Sequence, residues 1–412
     1  MRESRWARAR IWAVYHGISA LIHQPRLLRL IARTIQRQPW VGYAAGTVAS
    51  RADVAAAFDR PLAFSSTAHR PNLVAGEFLI GLESGPRHTA ERARLEARMP
   101  PPEDFGRCAA DESRARSNTL LAGGGHAFDL IEDYMVPVAW QAMSGAFGAG
   151  LPRLEPGDPM FAHLRAIGAH LIIGRVATKA VQARARESAA ALNGWVRANI
   201  APLHAAWNAK GALSEEEVAR NVVGVLWVGH PATVQSGALL VQEMLSRRAD
   251  LWLRDLASDV RRHADPWSDA DLRERVRLHV LELLRLRPPF PLLMRDVRRD
   301  TLYGTDGKGR AGGGSALTLL GVGAMSDPAA VPATPPCAFA PGRPLAFPED
   351  RTLMFGRGGR QCVARDHVTE TLVSAFIGLL RLPRLAWADP WWRRLRYDGP
   401  AIARLRLRFR AN

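Results

Sequence analysis

The sequence predicts a mainly α fold with small β-sheets, and three observations carry that reading. Long stretches repeat apolar residues with helical period. Two of the stretches begin with helix-cap residues, and one stops at a double proline. After Pro288 the pattern changes to short apolar pieces separated by glycine and proline. Of the 412 residues, 47% are hydrophobic and 23% charged, an ordinary globular balance with ample material for a core.

In order, helices are predicted over Glu91 to Arg98, Glu132 to Phe147, His163 to Asn199, Ser214 to Arg248 and Asp269 to Arg287, with a last one from Asp366 to Leu380. Ser214 and Glu217 have the spacing of a capping box. Ser268 precedes an acidic first turn at Asp269 and Asp271. The stretch Ile11 to Ile31 is apolar but interrupted by His16, His23, Gln24, Arg26 and Arg29. It reads as one or two packed surface helices, with a basic helix resting on a membrane as the other option, and not as a transmembrane span or signal peptide. The glycine-rich run 304–314 lacks the Gly-Lys-Ser/Thr ending of a phosphate loop and reads as a mobile surface loop. The basic, aromatic stretch from Trp391 to Arg410 reads as a hairpin or strand pair.

The net charge is +17, carried mostly by arginine. It favours acidic partners in general, but no nucleic-acid motif accompanies it, so no nucleic-acid partner is expected. Cys108, Cys337 and Cys362 are far apart. They suggest neither a short-spaced metal cluster nor a disulfide framework, and fit a cytoplasmic location.

Two motifs carry chemistry. The first is Phe355-Gly356-Arg357-Gly358-Gly359-Arg360-Gln361-Cys362, where the glycines allow a tight turn against a flat ligand and the cysteine sits just before a helix. Backbone N–H groups at that helix start are expected to favour thiolate. The second is Glu282-Leu283-Leu284-Arg285, two opposite charges on one helix face, on an apolar helix that stops at Pro288-Pro289. A buried pair of this kind needs another partner, and Arg343 is a candidate.

Together these residues resemble the cytochrome P-450 superfamily, over roughly Arg51 to Leu380. The loop fits that family's haem-binding signature, with Ala364 where glycine is usual, and Glu282, Arg285 and Arg343 fit its structural triad. Arg51-Ala52-Asp53-Val54 looks like an early strand-to-helix segment of the family. The resemblance implies one cytochrome P-450 domain over 1–412, with an N-terminal helical segment at 1–50, the family core at 51–390 and a basic tail at 391–412. It implies haem b buried between a long distal helix and the cysteine loop. Cys362 would be the axial iron ligand, with Phe355 and Gly356 beside it. His88, Arg92, Arg295 and Arg360 would bind the haem and hold its propionates.

Implied with the fold is monooxygenase-type oxidation of an apolar or amphipathic small molecule. Electrons would come from a separate acidic ferredoxin or flavodoxin, docked by the exposed members of Arg357, Arg360 and Arg365. The distal helix departs from the family. Its Val228-Gly229-His230-Pro231-Ala232-Thr233 offers no carboxylate in any register where the family has an acid–alcohol pair. Either His230 donates protons with Thr233 assisting, or the protein uses peroxide or isomerises or dehydrates its substrate. His230 would then bind an acidic substrate group. A third option turns His230 away from the cavity. A haem-binding recruitment module without turnover is the remaining alternative. Pro231 is expected to kink the helix.

Overall fold

The computed structural model describes residues 5–66, 77–124, 127–147, 151–208, 211–246, 253–310, 316–329, 337–343, 353, 355–390 and 393–410. Among them the helices are α1 (Arg5–Ile22), α2 (Pro25–Arg37), α3 (Pro39–Ala44), α4 (Arg51–Asp59), α5 (Pro86–Glu96), α6 (Pro102–Ala122), α7 (Val136–Ala146), α8 (Pro159–Ile173), α9 (Lys179–Ala198), α10 (Ile200–Asn208), α11 (Glu215–Ser246), α12 (Arg254–Arg262), α13 (Ala270–Leu286), α14 (Gly321–Ala324) and α15 (Arg365–Arg381). The strands are β1 (Thr47–Val48), β2 (Phe64–Ser65), β3 (Phe128–Asp129), β4 (Leu293–Val297), β5 (Leu302–Tyr303), β6 (Gly309–Arg310), β7 (Ala316–Leu319), β8 (Ala386–Trp387), β9 (Leu395–Asp398) and β10 (Ala401–Arg408). One sheet has the order β1-β7-β4-β2, and a second joins β3, β10 and β8 with β9 added on β10.

Most strands follow Pro288 as the sequence predicts, although β1, β2 and β3 lie among the earlier helices, and four further corrections apply. The expected single helix from His163 to Asn199 is two: α8 ends at Ile173, and Thr178 accepts from Val181 N to start α9. The cap of α13 is Asp269, which accepts from Leu272 N, and not Ser268. Part of the glycine-rich run is structured. Gly304 and Gly307 turn with φ of 84° and 65° between the paired β5 and β6, while 311–314 lie outside the described residues. Finally, α6, 21 residues long, was not predicted, nor were the nine-residue α10 and α12. The capping box does form at α11, where Glu217 N donates to Ser214 Oγ and Ser214 N donates to Glu217 Oε2.

The central core is built on α11, buried nearly all round, with α7, α8, α13 and α15 packed against it and α6 packed in turn on α7 and α15. A second cluster joins α1 and α2 to Leu292 and Val322. Close approach explains two glycines in α11: a Cβ at Gly224 would lie 2.3 Å from the Phe78 ring, and one at Gly237 2.3 Å from Met135.

Candidate active site

The cysteine loop is held by its own backbone. Cys362 N–H donates to Phe355 O at 2.6 Å, and Gly356 sits at φ 80°, where a Cβ would also meet Arg360 O at 2.8 Å. A side chain there is excluded twice, by conformation and by space. Arg360 turns back under the loop, donating to Ser84 Oγ at 2.7 Å and Leu82 O at 2.6 Å. Helix α15 begins at Arg365, so Cys362 lies outside its first turn. Burial pushes the Cys362 thiol up, and the Ala364 N–H, Arg92 and Arg365 only partly oppose this. The expectation that the helix start alone favours thiolate is therefore corrected: desolvation is the larger effect.

Cys362 lines a cavity of about 260 Å³ between the cysteine loop and α11. Its wall is mostly apolar, with Phe78, Phe105, Met143, Val228 and Phe290 prominent. Its polar residues are unevenly charged. His88, Arg92, Arg295 and Arg360 all reach the wall, as do Phe355 and Gly356, and no Asp or Glu does among the described residues. Arg92 donates to Gln361 O and pairs with Glu96. Arg295 is different. It is 9% exposed, lies over the Phe58 ring at 5.7 Å, and has no hydrogen-bond or ion-pair partner among the described residues. Burial first, and then the Arg360 charge, lower its pKa to about 10. Burial lowers His88 to about 4, with Arg360 and Arg92 adding to the effect.

Across the cavity, α11 presents Gly229, Ala232, Thr233 and Ser236. Both hydroxyls are turned onto their own helix: Thr233 donates to Gly229 O at 2.8 Å and Ser236 to Ala232 O at 2.7 Å. His230 is not on this wall. It lines an adjoining chamber of about 40 Å³, which shares Leu171, Ala232, Pro289 and Phe290 with the main cavity, and it is stacked on Phe161 and edge-on to Trp140. Its Nε2 is 3.3 Å from Val136 O, and its Nδ1 is buried without a partner. Of the three placements open in the sequence, the geometry matches the one that turns His230 away from the cavity. Burial lowers its pKa to about 4, so it is neutral at physiological pH. The helix runs through Pro231 without a break, and Gly168 of α8 accommodates the ring: a Cβ there would be 2.5 Å from Pro231 Cβ.

Beneath the cavity the second motif forms a closed cluster. Arg285 donates to Glu282 through Nε at 2.9 Å and through a terminal nitrogen at 2.8 Å, and to Met325 O at 2.7 Å. Arg343 Nε and Ala340 N donate to Glu282 Oε1 at 3.0 and 3.1 Å, and Arg343 also reaches Ala338 O. The three side chains are almost fully buried.

The arginines expected to face a partner are engaged. Arg357 pairs with Asp59 at 3.1 Å, Arg365 with Asp366 at 2.9 Å, and Arg360 points inward. Phe78, Met143 and Phe290 were missed as wall residues. For Phe78 the one signal was the glycine at 224, which a mid-helix position tolerates only for a packing reason.

The arrangement is that of the cytochrome P-450 fold, and solved structures share it. The chain is similar to a mutant of cytochrome P-450 EryK in complex with erythromycin B, at TM-score 0.72 and 19% identity over 97% of this chain and 98% of that one. EryK is from S. erythraea. CalO2 matches at TM-score 0.68 and 21% identity, over 91% of this chain and 97% of that one. P-450 BioI in complex with hexadec-9Z-enoic acid ligated acyl carrier protein matches at TM-score 0.68 and 19% identity, over 91% and 100%. No protein-family model and no curated protein matches the sequence.

Proposed function

We propose that the chain is a haem-thiolate oxidoreductase, cytochrome P-450 in type, that oxidises an apolar or amphipathic small molecule with electrons from a separate carrier. The observation that carries this reading is Arg295. A buried guanidinium with no partner among the described residues, beside His88, Arg92 and Arg360 in a cavity without carboxylates, calls for an anionic ligand. A haem fits: its propionates answer the cations, its flat ring suits the glycine turn at Gly356, and Cys362 offers the sulfur. Bound haem supplies iron-centred oxidation, with the thiolate donating electron density to favour O–O cleavage.

The chain's own residues then have distinct tasks. Cys362 would hold the metal, whose charge would favour the thiolate against the burial that raises the thiol's pKa. Arg295, Arg360, Arg92 and His88 would hold the propionates. Val228, Phe78, Met143 and Phe290 exclude water and accept the apolar substrate. Thr233, one of two α11 hydroxyl residues on the cavity wall and one turn from Gly229, is the proton-handling group.

One observation favours a second reading. No carboxylate lines the cavity among the described residues, and His230 lines the adjoining chamber instead. A peroxide-driven oxidation, or an isomerisation or dehydration on the iron, needs no such relay. The test compares the purified protein with Cys362→Ser in the reduced carbon-monoxide complex. The parent is expected to show the thiolate-type Soret band and the variant to lose it, whereas persistence of the band in Cys362→Ser removes the proposal. Product formation with electrons or with added peroxide then separates the two readings.

A further inference from the structure

The chain from Ser4 to Ala52 holds eight arginines and no Asp or Glu. The structure shows what this segment builds. Helices α1 and α2 bury Tyr15, Ile22, Leu28, Ala32 and Ile35 in one cluster with Leu292 and Val322, so their opposite faces both point away from the protein. Those outer faces are not polar. Trp12 is 60% exposed, Leu27 46%, Leu30 60%, and Trp40 on the adjoining α3 68%. On α2 the exposed positions are Arg26, Leu27, Leu30, Arg33, Thr34 and Arg37, which share one side of the helix at spacings of three and four. Arg33 donates to Cys337 Sγ, and none of these three arginines meets a carboxylate among the described residues.

We infer that the outer face of α1, α2 and α3 is a docking surface for an anionic lipid bilayer. Leucine and tryptophan side chains enter the headgroup–acyl boundary. Arginines alongside keep their guanidinium groups at the phosphates while their stems lie on apolar surface. Nucleic acid matches the charge but has no place for exposed leucines, and lipid matches both. The segment lies on the surface and does not cross it: no helix among the described residues is long and apolar enough to span a membrane. The exposed side chains do not touch the Cys362 cavity, so the inference stands apart from the chemistry there.

The experiment is co-sedimentation of the full-length purified protein with vesicles of phosphatidylcholine alone or mixed with phosphatidylglycerol. Binding is expected only to the anionic vesicles. It should weaken as salt rises from about 0.1 M to about 1 M, where the screening length falls from roughly 10 Å to 3 Å. Arg26→Gln/Arg37→Gln should lower the partition coefficient about 5-fold per arginine. Leu27→Glu/Leu30→Glu should lower it about 10-fold or more, with an unchanged circular dichroism spectrum. Should that variant fail to fold, Trp40→Ala provides the same comparison with a milder change. Equal binding to neutral vesicles, no binding to anionic ones, or variants that bind like the parent would each overturn the inference. Failure on vesicles leaves an acidic protein as the partner of this face.

Discussion

Two buried groups of charges sit within one fold and are built in opposite ways. Around Glu282 both cations are engaged: two arginines converge on one carboxylate, and further donors from them reach the Met325 and Ala338 carbonyls. Beside Arg295 the charge that it feels is another cation, Arg360, and the cavity wall holds no carboxylate among the described residues. A closed cluster of this kind supports the fold, because its members need nothing from outside. An open cluster is costly unless something completes it, and it marks a binding site. The difference lies in the partner set, since the Arg285 and Arg295 side chains are both buried.

The largest expected effect breaks the closed cluster. Glu282→Ala strands Arg285 and Arg343, and removing one partner of a buried pair costs about 3–5 kcal/mol. Chemical denaturation and the yield of soluble protein check this. A variant as stable as the parent would mean that the two clusters do not differ as described.

His230 supplies a buried group that belongs to neither cluster. In the unfolded chain its imidazole takes a proton below about pH 6.5, and in the fold only below about 4. Between these values the unfolded state binds more protons, so stability falls as pH drops from 6.5 toward 4. The loss is on the order of 3 kcal/mol for a fully buried ring. His230→Leu should flatten that part of the stability–pH curve and leave the catalytic rate within about 2-fold of the parent, far below the 10²-fold loss typical of a missing general acid. A tenfold slower variant would return His230 to the chemistry.

The open cluster gives the sharper contrast. Arg295→Met removes an unanswered buried cation, so the protein freed of haem should be as stable as the parent or more so. Charge-assisted bonds to a carboxylate contribute about 1.5–3 kcal/mol, and haem retention should fall by the corresponding roughly 10- to 150-fold. Haem transfer to an acceptor protein measures the second quantity and denaturation of the haem-free protein the first. Destabilisation without loss of haem affinity would reverse the assignment of the two clusters.

These differences were legible in the sequence to unequal degrees. Glu282 and Arg285 stand three apart on a helix and announce themselves, and the glycines before Cys362 do the same. Arg295 lies on β4 with nothing local to mark it, and its place among the cavity residues came from the family resemblance alone. Helix α6 was unreadable for a physical reason. Apart from Phe105, its buried face is Gly106, Cys108, Ala109, Ala110, Ser113 and Ser117, small enough for close packing on α15 but too weakly apolar to give a period. At Gly378 a Cβ would lie 2.1 Å from Ser113 Oγ, which shows how close that packing is. The direction of His230 was hidden because α11 is apolar on all sides, so no polar face set its rotation.

The smallest expected effect tests whether closure or burial gives the Glu282 cluster its value. Arg365 and Asp366 make two parallel hydrogen bonds, at 2.9 and 3.0 Å, a pairing as complete in geometry as that of Arg285 with Glu282. They differ in exposure: the side chains are 34% and 56% exposed. In water the attraction is screened and ordering two side chains opposes it, so such pairs contribute about 0–1 kcal/mol. Asp366 also lies in the first turn of α15, where a negative charge adds about 0.3–1 kcal/mol. Arg365 holds the Asp366 carboxyl below the usual range, so this contribution is present near neutrality and is lost as pH falls through that lowered value. Asp366→Asn should therefore cost about 1 kcal/mol at neutral pH, a small fraction of the loss from Glu282→Ala, and the difference from the parent should vanish in acid. A loss near that of Glu282→Ala would make geometric closure, and not burial, the source of the stability.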